Sequence, residues 1–130
     1  MSVVVGYVPS REGALVLERA VDEARSRGVR LVALNVPRSS EFAQDFVADD
    51  AELADLDAVL AEAGVEHEVR RGTGDEAPAD TLLDLVDEVG AELVVIGLRR
   101  RSPVGKMLMG STSQRVLLDA PCPVLAVQHD

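Results

Sequence analysis

The stretch "VVVGYVPSREGALVLERAVDEARSRGVRLVALNV", residues 3–36, decides the fold. Its two apolar runs, residues 3–7 and 29–36, have the length and composition of strands that are buried on both faces. Four apolar residues between them recur at the 3.6-residue spacing of a helix: Ala14, Leu17, Val21 and Ala24. Gly28 follows that pattern and is typical of a helix end. The stretch therefore predicts a strand, a helix and a second strand.

The same alternation continues to the end of the 130-residue chain. The patterns predict further helices over residues 51–64, 79–90 and 112–120, and further strands over residues 65–71, 91–97 and 123–127. Residues 37–50 lack a clean period and are predicted to form a loop, in which Phe42 and Phe46 anchor the loop or cover a ligand. Alternating strands and helices predict one doubly wound α/β domain over residues 1–130, with a parallel sheet and helices on both faces.

Composition limits the class of protein. Hydrophobic residues make up 47% and charged residues 28%, as in folded globular domains. No apolar run approaches the roughly 18 residues that a membrane span needs, and the N-terminus lacks the basic region of a secretion signal. Cys122 is the single cysteine, so it has no partner for an internal disulfide. We therefore expect a cytoplasmic protein that does not bind membranes.

The charge distribution favours a small anionic ligand. The formal net charge of −10 argues against a nucleic acid partner, because a phosphate backbone requires a basic face. Aromatic residues make up only 2%, which leaves few rings on which single-stranded bases could stack. Residues 97–111 nevertheless contain no acid and four cations: Arg99, Arg100, Arg101 and Lys106. A local basic segment on an acidic chain predicts binding of a small anion.

The segment "GLRRRSPVGKMLMGSTSQ", residues 97–114, fits one kind of phosphate site and not another. A P-loop is excluded around Lys106, because Arg100 occupies the position of its first glycine and Met107 that of its hydroxyl residue. Ser111 and Gln114 instead have the spacing of a capping box at a helix start. Two roles stay open for this helix start: capping alone, and capping together with anion binding by backbone N–H groups.

No set of residues predicts catalysis or metal binding. His67 lies on an alternating strand, where we expect it to be exposed, and His129 is next to the C-terminus. Cys122 is expected to be a small buried apolar residue. The two histidines and one cysteine do not form a zinc pattern, and no serine has a credible histidine base. We therefore expect no enzyme, or at most a slow ATPase.

The spacing from Gly97 to Gly110-Ser111 resembles the signature of ATP-binding members of the universal stress protein family. That signature is a glycine, two residues, a second glycine, nine residues, and Gly-Ser or Gly-Thr. The runs VVVGY, GAELVVIG and PCPVLAV resemble the first, fourth and last strands of the family. The resemblance implies a five-stranded parallel sheet of order 3-2-1-4-5. It also implies a homodimer through the C-terminal strand, residues 123–128, whose apolar edge favours pairing.

The resemblance further implies a stress-response regulatory protein that binds ATP or a related adenine nucleotide, with magnesium uncertain. The positions that it assigns to the nucleotide are Gly6, Tyr7, Val8, Val36, Ile96, Gly97, Arg100, Gly110, Ser111 and Thr112. The glycines and hydroxyl residues at the end of this series are expected to bind the phosphates. Gly6, Tyr7 and Val36 are expected to line the base and ribose.

Two residues depart from the family pattern. Arg100 replaces the second glycine, and Val8 replaces an aspartate that would contact nucleotide hydroxyls or a metal. A guanidinium group binds phosphate well, so Arg100 either holds a phosphate or fills the phosphate position with its own charged head. The second possibility leads to an alternative function, a dimeric interaction module of the same fold that binds no nucleotide.

Overall fold

The computed structural model describes residues 1–7, 11–35, 50–72, 77–99 and 111–129. The strands are β1 (Ser2–Tyr7), β2 (Arg30–Asn35), β3 (His67–Arg71), β4 (Ala91–Arg99) and β5 (Val124–His129). The helices are α1 (Arg11–Arg27), α2 (Asp50–Glu62), α3 (Pro78–Val89) and α4 (Ser111–Asp119). Each predicted strand and helix is therefore present, and of the predicted loop only Asp50 is described, as the first residue of α2.

The five strands form one parallel sheet of order β3-β2-β1-β4-β5, which confirms the predicted fold class. The register places Val4 of β1 opposite Val32 of β2 on one side and Val94 of β4 on the other. The strand order reverses between β1 and β4, because the chain adds β2 and β3 on one side of β1 before it adds β4 and β5 on the other.

The core is divided between the two faces of this sheet. Val3 and Val5 of β1 pack on one face with α1 and α2, and the intervening Val4 packs on the opposite face with α3 and α4. None of the three valines is exposed to solvent. A central strand buried on both faces explains why its sequence is continuously apolar and does not alternate.

Glycines follow three of the helices as the sequence predicts, and Gly64, beyond the end of α2, has a φ of 73°. Gly28 follows α1 with a φ of 66°, and Gly90 follows α3 with a φ of 62°. The N–H group of Gly90 donates to the carbonyls of Val86 and Asp87. These carbonyls lack N–H donors inside the helix, and only glycine adopts this left-handed conformation at low cost.

Three details differ from the sequence prediction. Ala14 is exposed, although it follows the apolar spacing of α1, because the buried face of that helix is centred on Val16, Leu17, Ala20, Val21 and Ala24. Strand β4 runs two residues further than expected, to Arg99, because it continues to pair with β5 as far as His129.

No helix in the described ranges is both long and apolar enough to cross a membrane.

His67 is the third difference, since its side chain is only 15% exposed. Its Nδ1 lies 2.8 Å from the carbonyl oxygen of Val65, and its Nε2 lies 2.8 Å from a carboxylate oxygen of Asp57 on α2. Both neighbours are acceptors, so the protonated ring, which carries two N–H donors, satisfies both. The hydrogen bond to Val65 and, after it, the one to Asp57 raise the pKa of His67 above its ordinary 6.5, while burial opposes the shift.

We predict that His67 stabilises the fold more in mild acid than in mild alkali. The pKa of His67 is higher in the folded protein than in the unfolded chain. The stabilisation is therefore complete at pH values below the pKa of the unfolded chain, and it is lost as the pH rises through the pKa of the folded protein. The free energy of unfolding of the wild type should exceed that of His67→Gln by more at about pH 5.5 than at about pH 8.5. Urea denaturation at both values measures this.

An Asp57→Asn variant is the matched control, because it keeps the hydrogen bond to Val65 and removes the carboxylate. NMR titration of the His67 ring should give a lower pKa in this variant than in the wild type. If the difference in stability between the wild type and His67→Gln grew with rising pH, it would contradict the raised pKa of His67.

Candidate functional site

The candidate site lies at the carboxyl ends of β1 and β4, where the strand order reverses. Val5 of β1 pairs with Val95 of β4, and Gly6 and Ile96 are the next residues of the two strands. Ile96 is buried, whereas Gly97 is half-buried and pairs with Val127 of β5. In open parallel sheets such a reversal leaves a crevice beyond the strand ends, and ligands bind there.

Helix α4 begins at Ser111, which confirms the predicted helix start. The helix is the crossover between the parallel neighbours β4 and β5, so its N-terminus lies at the carboxyl edge of the sheet. Its Val116 is fully buried in the cluster that contains Ile96. The first N–H groups of a helix have no acceptor within the helix and carry partial positive charge. The arrangement therefore directs N–H donors toward this edge.

The first turn of α4 contains no acidic residue. By contrast, α1 carries Glu12 and α3 carries Asp80 in their first turns. A carboxylate at that position neutralises the positive end of the helix, as an anionic ligand would. The half-buried Thr112 adds a hydroxyl group to the first turn of α4. The N-terminus of α4 therefore has the composition that suits an external anion.

Arg115 of α4 forms an ion pair with α3. Its guanidinium group pairs with Asp80 of α3 and, at 3.5 Å, with Asp119 one turn further along α4. All three side chains are substantially exposed, so each pair contributes little to stability. The contact to Asp80 nevertheless joins the two helices that cover this face of the sheet.

Tyr7 lies at the same edge but on the other face. Its side chain packs against the cluster formed by β1, α1 and α2, whereas Ile96 and Val116 belong to the opposite cluster. Burial, and secondarily the negative charge of Glu52 on α2, raise the pKa of the Tyr7 hydroxyl above its ordinary value. The described candidate residues thus share one sheet edge, with Tyr7 on the α1 and α2 side and Ile96 on the α4 side.

Asn35 is a site residue that the sequence interpretation missed. It is the last residue of β2, it has no solvent exposure, and its Nδ2 donates to the carbonyl oxygen of Tyr7 over 3.2 Å. Its own carbonyl accepts from the N–H of Gly72 over 3.0 Å. The side chain therefore holds the carboxyl ends of β1 and β2 together. The signal in the sequence was a lone amide at the end of an otherwise apolar strand.

Four predicted site positions lie outside the described residues: Val8, Val36, Gly110 and Arg100. The side chain of Ser111 is also outside them, although its backbone is described. The remaining predictions are Gly6, Tyr7, Ile96, Gly97 and Thr112, which the structure places at or next to the carboxyl edge of the sheet. Their shared location at the carboxyl edge supports the proposal of a ligand site there.

Metal-ligating side chains and Cys122 bear on whether the described part of the chain contains a metal site or a reactive thiol. No cluster of three or more histidine, cysteine or acidic side chains suited to a metal ion occurs there. Cys122 is half-buried against the cluster that contains Val116. Burial, and then the nearby charge of Asp87, raise the pKa of its thiol, which disfavours the reactive thiolate.

The architecture is that of a doubly wound α/β domain, a class of protein whose ligands bind at the switch point of the sheet. The chain belongs to the universal stress protein family, whose model matches residues 1–128. A universal stress protein of Mycolicibacterium smegmatis is 40% identical over 126 residues, which cover 97% of this chain and 96% of the relative.

Two solved structures resemble the chain over nearly its whole length. One is a universal stress protein from Archaeoglobus fulgidus in complex with dAMP, with 27% identity, a TM-score of 0.66, and coverage of 97% of this chain and 95% of that one. The other is a universal stress protein in complex with cAMP, with 25% identity, a TM-score of 0.69, and coverage of 100% and 98%. Both relatives bind adenine nucleotides.

We predict that replacing Asn35 destabilises the protein. Asn35→Ala removes the fully buried side chain that donates to the Tyr7 carbonyl, and it should lower the free energy of unfolding by about 1–3 kcal/mol. Asn35→Asp keeps the shape of the side chain but places a carboxylate beside that carbonyl, so at neutral pH it should be at least as damaging. Urea denaturation followed by circular dichroism gives both values.

The pH dependence of the Asp variant provides the control. A protonated carboxyl group can donate to the Tyr7 carbonyl, so the deficit of Asn35→Asp relative to the wild type should shrink as the pH falls. An Asn35→Asp variant as stable as the wild type at neutral pH would refute the structural role.

Proposed function

We propose that the protein is a stress-response regulatory protein that binds ATP or a related adenine nucleotide at the carboxyl ends of β1 and β4. One observation carries the proposal: the N-terminus of α4, which has no acid in its first turn, begins at the edge where the strand order reverses. That geometry suits a phosphate group. The two relatives in complex with dAMP and cAMP support an adenine nucleotide as the ligand.

The proposed roles follow the positions of the residues along the chain. Gly97, Gly110, Ser111 and Thr112 bind the phosphates through backbone N–H and hydroxyl groups, and Arg100 adds a charged fork. Gly6, Tyr7 and Val36 line the base and the ribose, next to Val8 and Ile96. Magnesium would accompany the phosphates, without a protein ligand assigned to it. No catalytic step is assigned to these residues.

Two sequence positions favour a second candidate, an interaction module of the same fold without a nucleotide. Val8 offers no carboxylate to the ribose hydroxyls or to a metal. Arg100 brings a side chain to a position where the family signature has a glycine and therefore open space. In this alternative the guanidinium group of Arg100 occupies the phosphate position, and the protein binds partner proteins through its surface without a bound nucleotide.

Binding of ATP is the direct test. Calorimetric titration with and without magnesium should show saturable binding to the purified protein, and denaturation should release bound nucleotide. Arg100→Gly should weaken binding roughly 10- to 100-fold, because hydrogen bonds to charged groups contribute about 1.5–3 kcal/mol. No binding at millimolar ATP would refute the proposal.

Arg101→Gly is the matched control, since it removes the same charge from the neighbouring position. It should change the affinity for ATP far less than Arg100→Gly does. Tighter binding by Arg100→Gly than by the wild type would show that Arg100 fills the phosphate position, and it would support the nucleotide-free alternative.

We also propose a homodimer through β5 and the adjoining residues 123–128. The two edges of the sheet differ in chemistry. Edge strand β3 carries Glu68 and Arg70, which pair with each other, and Arg70 also pairs with Glu88 of α3. The opposite edge strand, β5, presents the half-buried apolar run Val124, Leu125, Ala126 and Val127. Charged edges resist pairing with another sheet and apolar edges favour it.

Light scattering tests the dimer. The wild type should have twice the mass of the 130-residue chain, and Val127→Lys should shift it to the single-chain mass by placing a charge on the β5 edge. Leu118→Lys is the control, because Leu118 is 82% exposed on α4 rather than on the edge. A monomeric wild type would refute the dimer, and dissociation by Leu118→Lys alone would place the interface on α4.

A further inference from the structure

A groove separates α1 from α2 on one face of the sheet. It encloses about 690 Å³, and it runs from Tyr7 at the end of β1 to Arg25 and Ala63 at the opposite end. At that far end the guanidinium group of Arg25 donates to the carbonyl of Ala63, which joins the two helices. Between these ends the helices leave the groove open to solvent.

The floor of the groove is apolar. Leu17 and Val21 of α1 face Leu56 of α2, and all three belong to the buried cluster on this face. Val59 lies on the wall of the groove and is 54% exposed. With the apolar floor it forms a continuous apolar surface between the two helices.

The rim of the groove is acidic. Glu18 and Asp22 line it from α1, and Glu52 and Asp55 line it from α2. Arg25 is the only cation among the residues described as lining the groove, and it is engaged with the Ala63 carbonyl. The rim therefore attracts a cationic partner and repels an anionic one.

The dimensions of the groove indicate an elongated occupant. Its α1 wall extends from Ala14 to Arg25, which corresponds to about 16 Å, or about three turns, at the rise of an α-helix. An amphipathic helix that places apolar residues at positions i, i+3 or i+4, and i+7 fits a groove of this length.

We propose that this groove binds a basic amphipathic helix of a partner protein. The apolar face of that helix contacts Leu17, Val21, Leu56 and Val59, and its Lys or Arg residues lie against the carboxylates of the rim. The acidic rim favours a basic partner over segment 36–49 of the chain itself, because that segment is also acidic. That segment carries Glu41, Asp45 and Asp49 against a single Arg38.

A designed peptide tests the proposal without any nucleotide present, so the result is independent of the proposed nucleotide site. The probe is a fluorescently labelled 14-residue peptide of Leu and Lys, with leucines at helical spacing. We expect saturable binding by fluorescence anisotropy, weaker at high salt. A scrambled peptide of the same composition and a Leu and Glu analogue should bind at least about tenfold more weakly.

Charge reversal locates the site on the protein. Asp22→Lys and Asp55→Lys should each weaken peptide binding by roughly three- to tenfold, as expected for loss of one favourable charge and gain of a repulsive one. Asp84→Lys is the matched control, because Asp84 is also exposed but lies on α3, away from the groove. Val59→Glu should weaken binding more than Leu118→Glu does.

NMR of the labelled protein gives a second measurement. Peptide should shift the backbone amides of α1 and α2 and leave those of α3 and α4 unchanged. No binding by the wild type, equal effects of Asp84→Lys and Asp55→Lys, or shifts confined to α3 and α4 would each overturn the proposal. It would also be overturned if only a Phe42→Ala/Phe46→Ala variant bound the peptide, because the chain's own segment would then cover the groove.

Discussion

Burial of β1 on both faces is the constraint on which the rest of the structure depends. Val3, Val4 and Val5 are fully buried, so helices must cover the sheet above and below them. Right-handed crossovers meet that requirement as follows. The chain first adds β2 and β3 on one side of β1, and the connecting helices α1 and α2 pack on one face. It then adds β4 and β5 on the other side of β1, and α3 and α4 pack on the opposite face. The position of the switch point follows directly from this winding.

The switch point also accounts for the composition of its neighbourhood. Helix α1, which follows β1, packs on one face of the sheet, and α4, which follows β4, packs on the other. In such sheets a crevice forms between the two connections. Asn35 joins β1 to β2 at this edge, so the edge is held by a buried hydrogen bond as well as by the ladder. On the other side, α4 brings N–H donors without a carboxylate of its own. The proposed anion site thus rests on two features: an edge joined by the Asn35 hydrogen bond, and the partial positive charge at the N-terminus of α4, which no carboxylate in its first turn neutralises.

Much of this fold could be predicted from the sequence, because its local signals agree with one another. Apolar runs marked four of the strands and an alternating pattern marked β3, and Gly28, Gly64 and Gly90 marked three helix ends. What the sequence could not show depends on neighbours distant in the chain. His67 is shielded because Asp57 and Val65 surround it, β4 extends to Arg99 because β5 pairs with it, and Asn35 matters because the Tyr7 carbonyl faces it. For the proposed site, the sequence supplied candidate residues but could not show that Tyr7 and Ile96 lie on opposite faces of the sheet.

The two departures from the family signature act in the same direction electrostatically. Val8 stands where the pattern of the family's ATP binders has an aspartate, and Arg100 stands where it has a glycine. Together these replacements make the site more positive by two unit charges, while the chain as a whole remains strongly negative. A more positive site gains more from each additional phosphate of a ligand, since charge-assisted hydrogen bonds are stronger than neutral ones. The loss of the acid would at the same time remove a contact to the ribose hydroxyls. In the proposed nucleotide site, the two replacements would therefore shift the interaction from the nucleoside toward the phosphate chain.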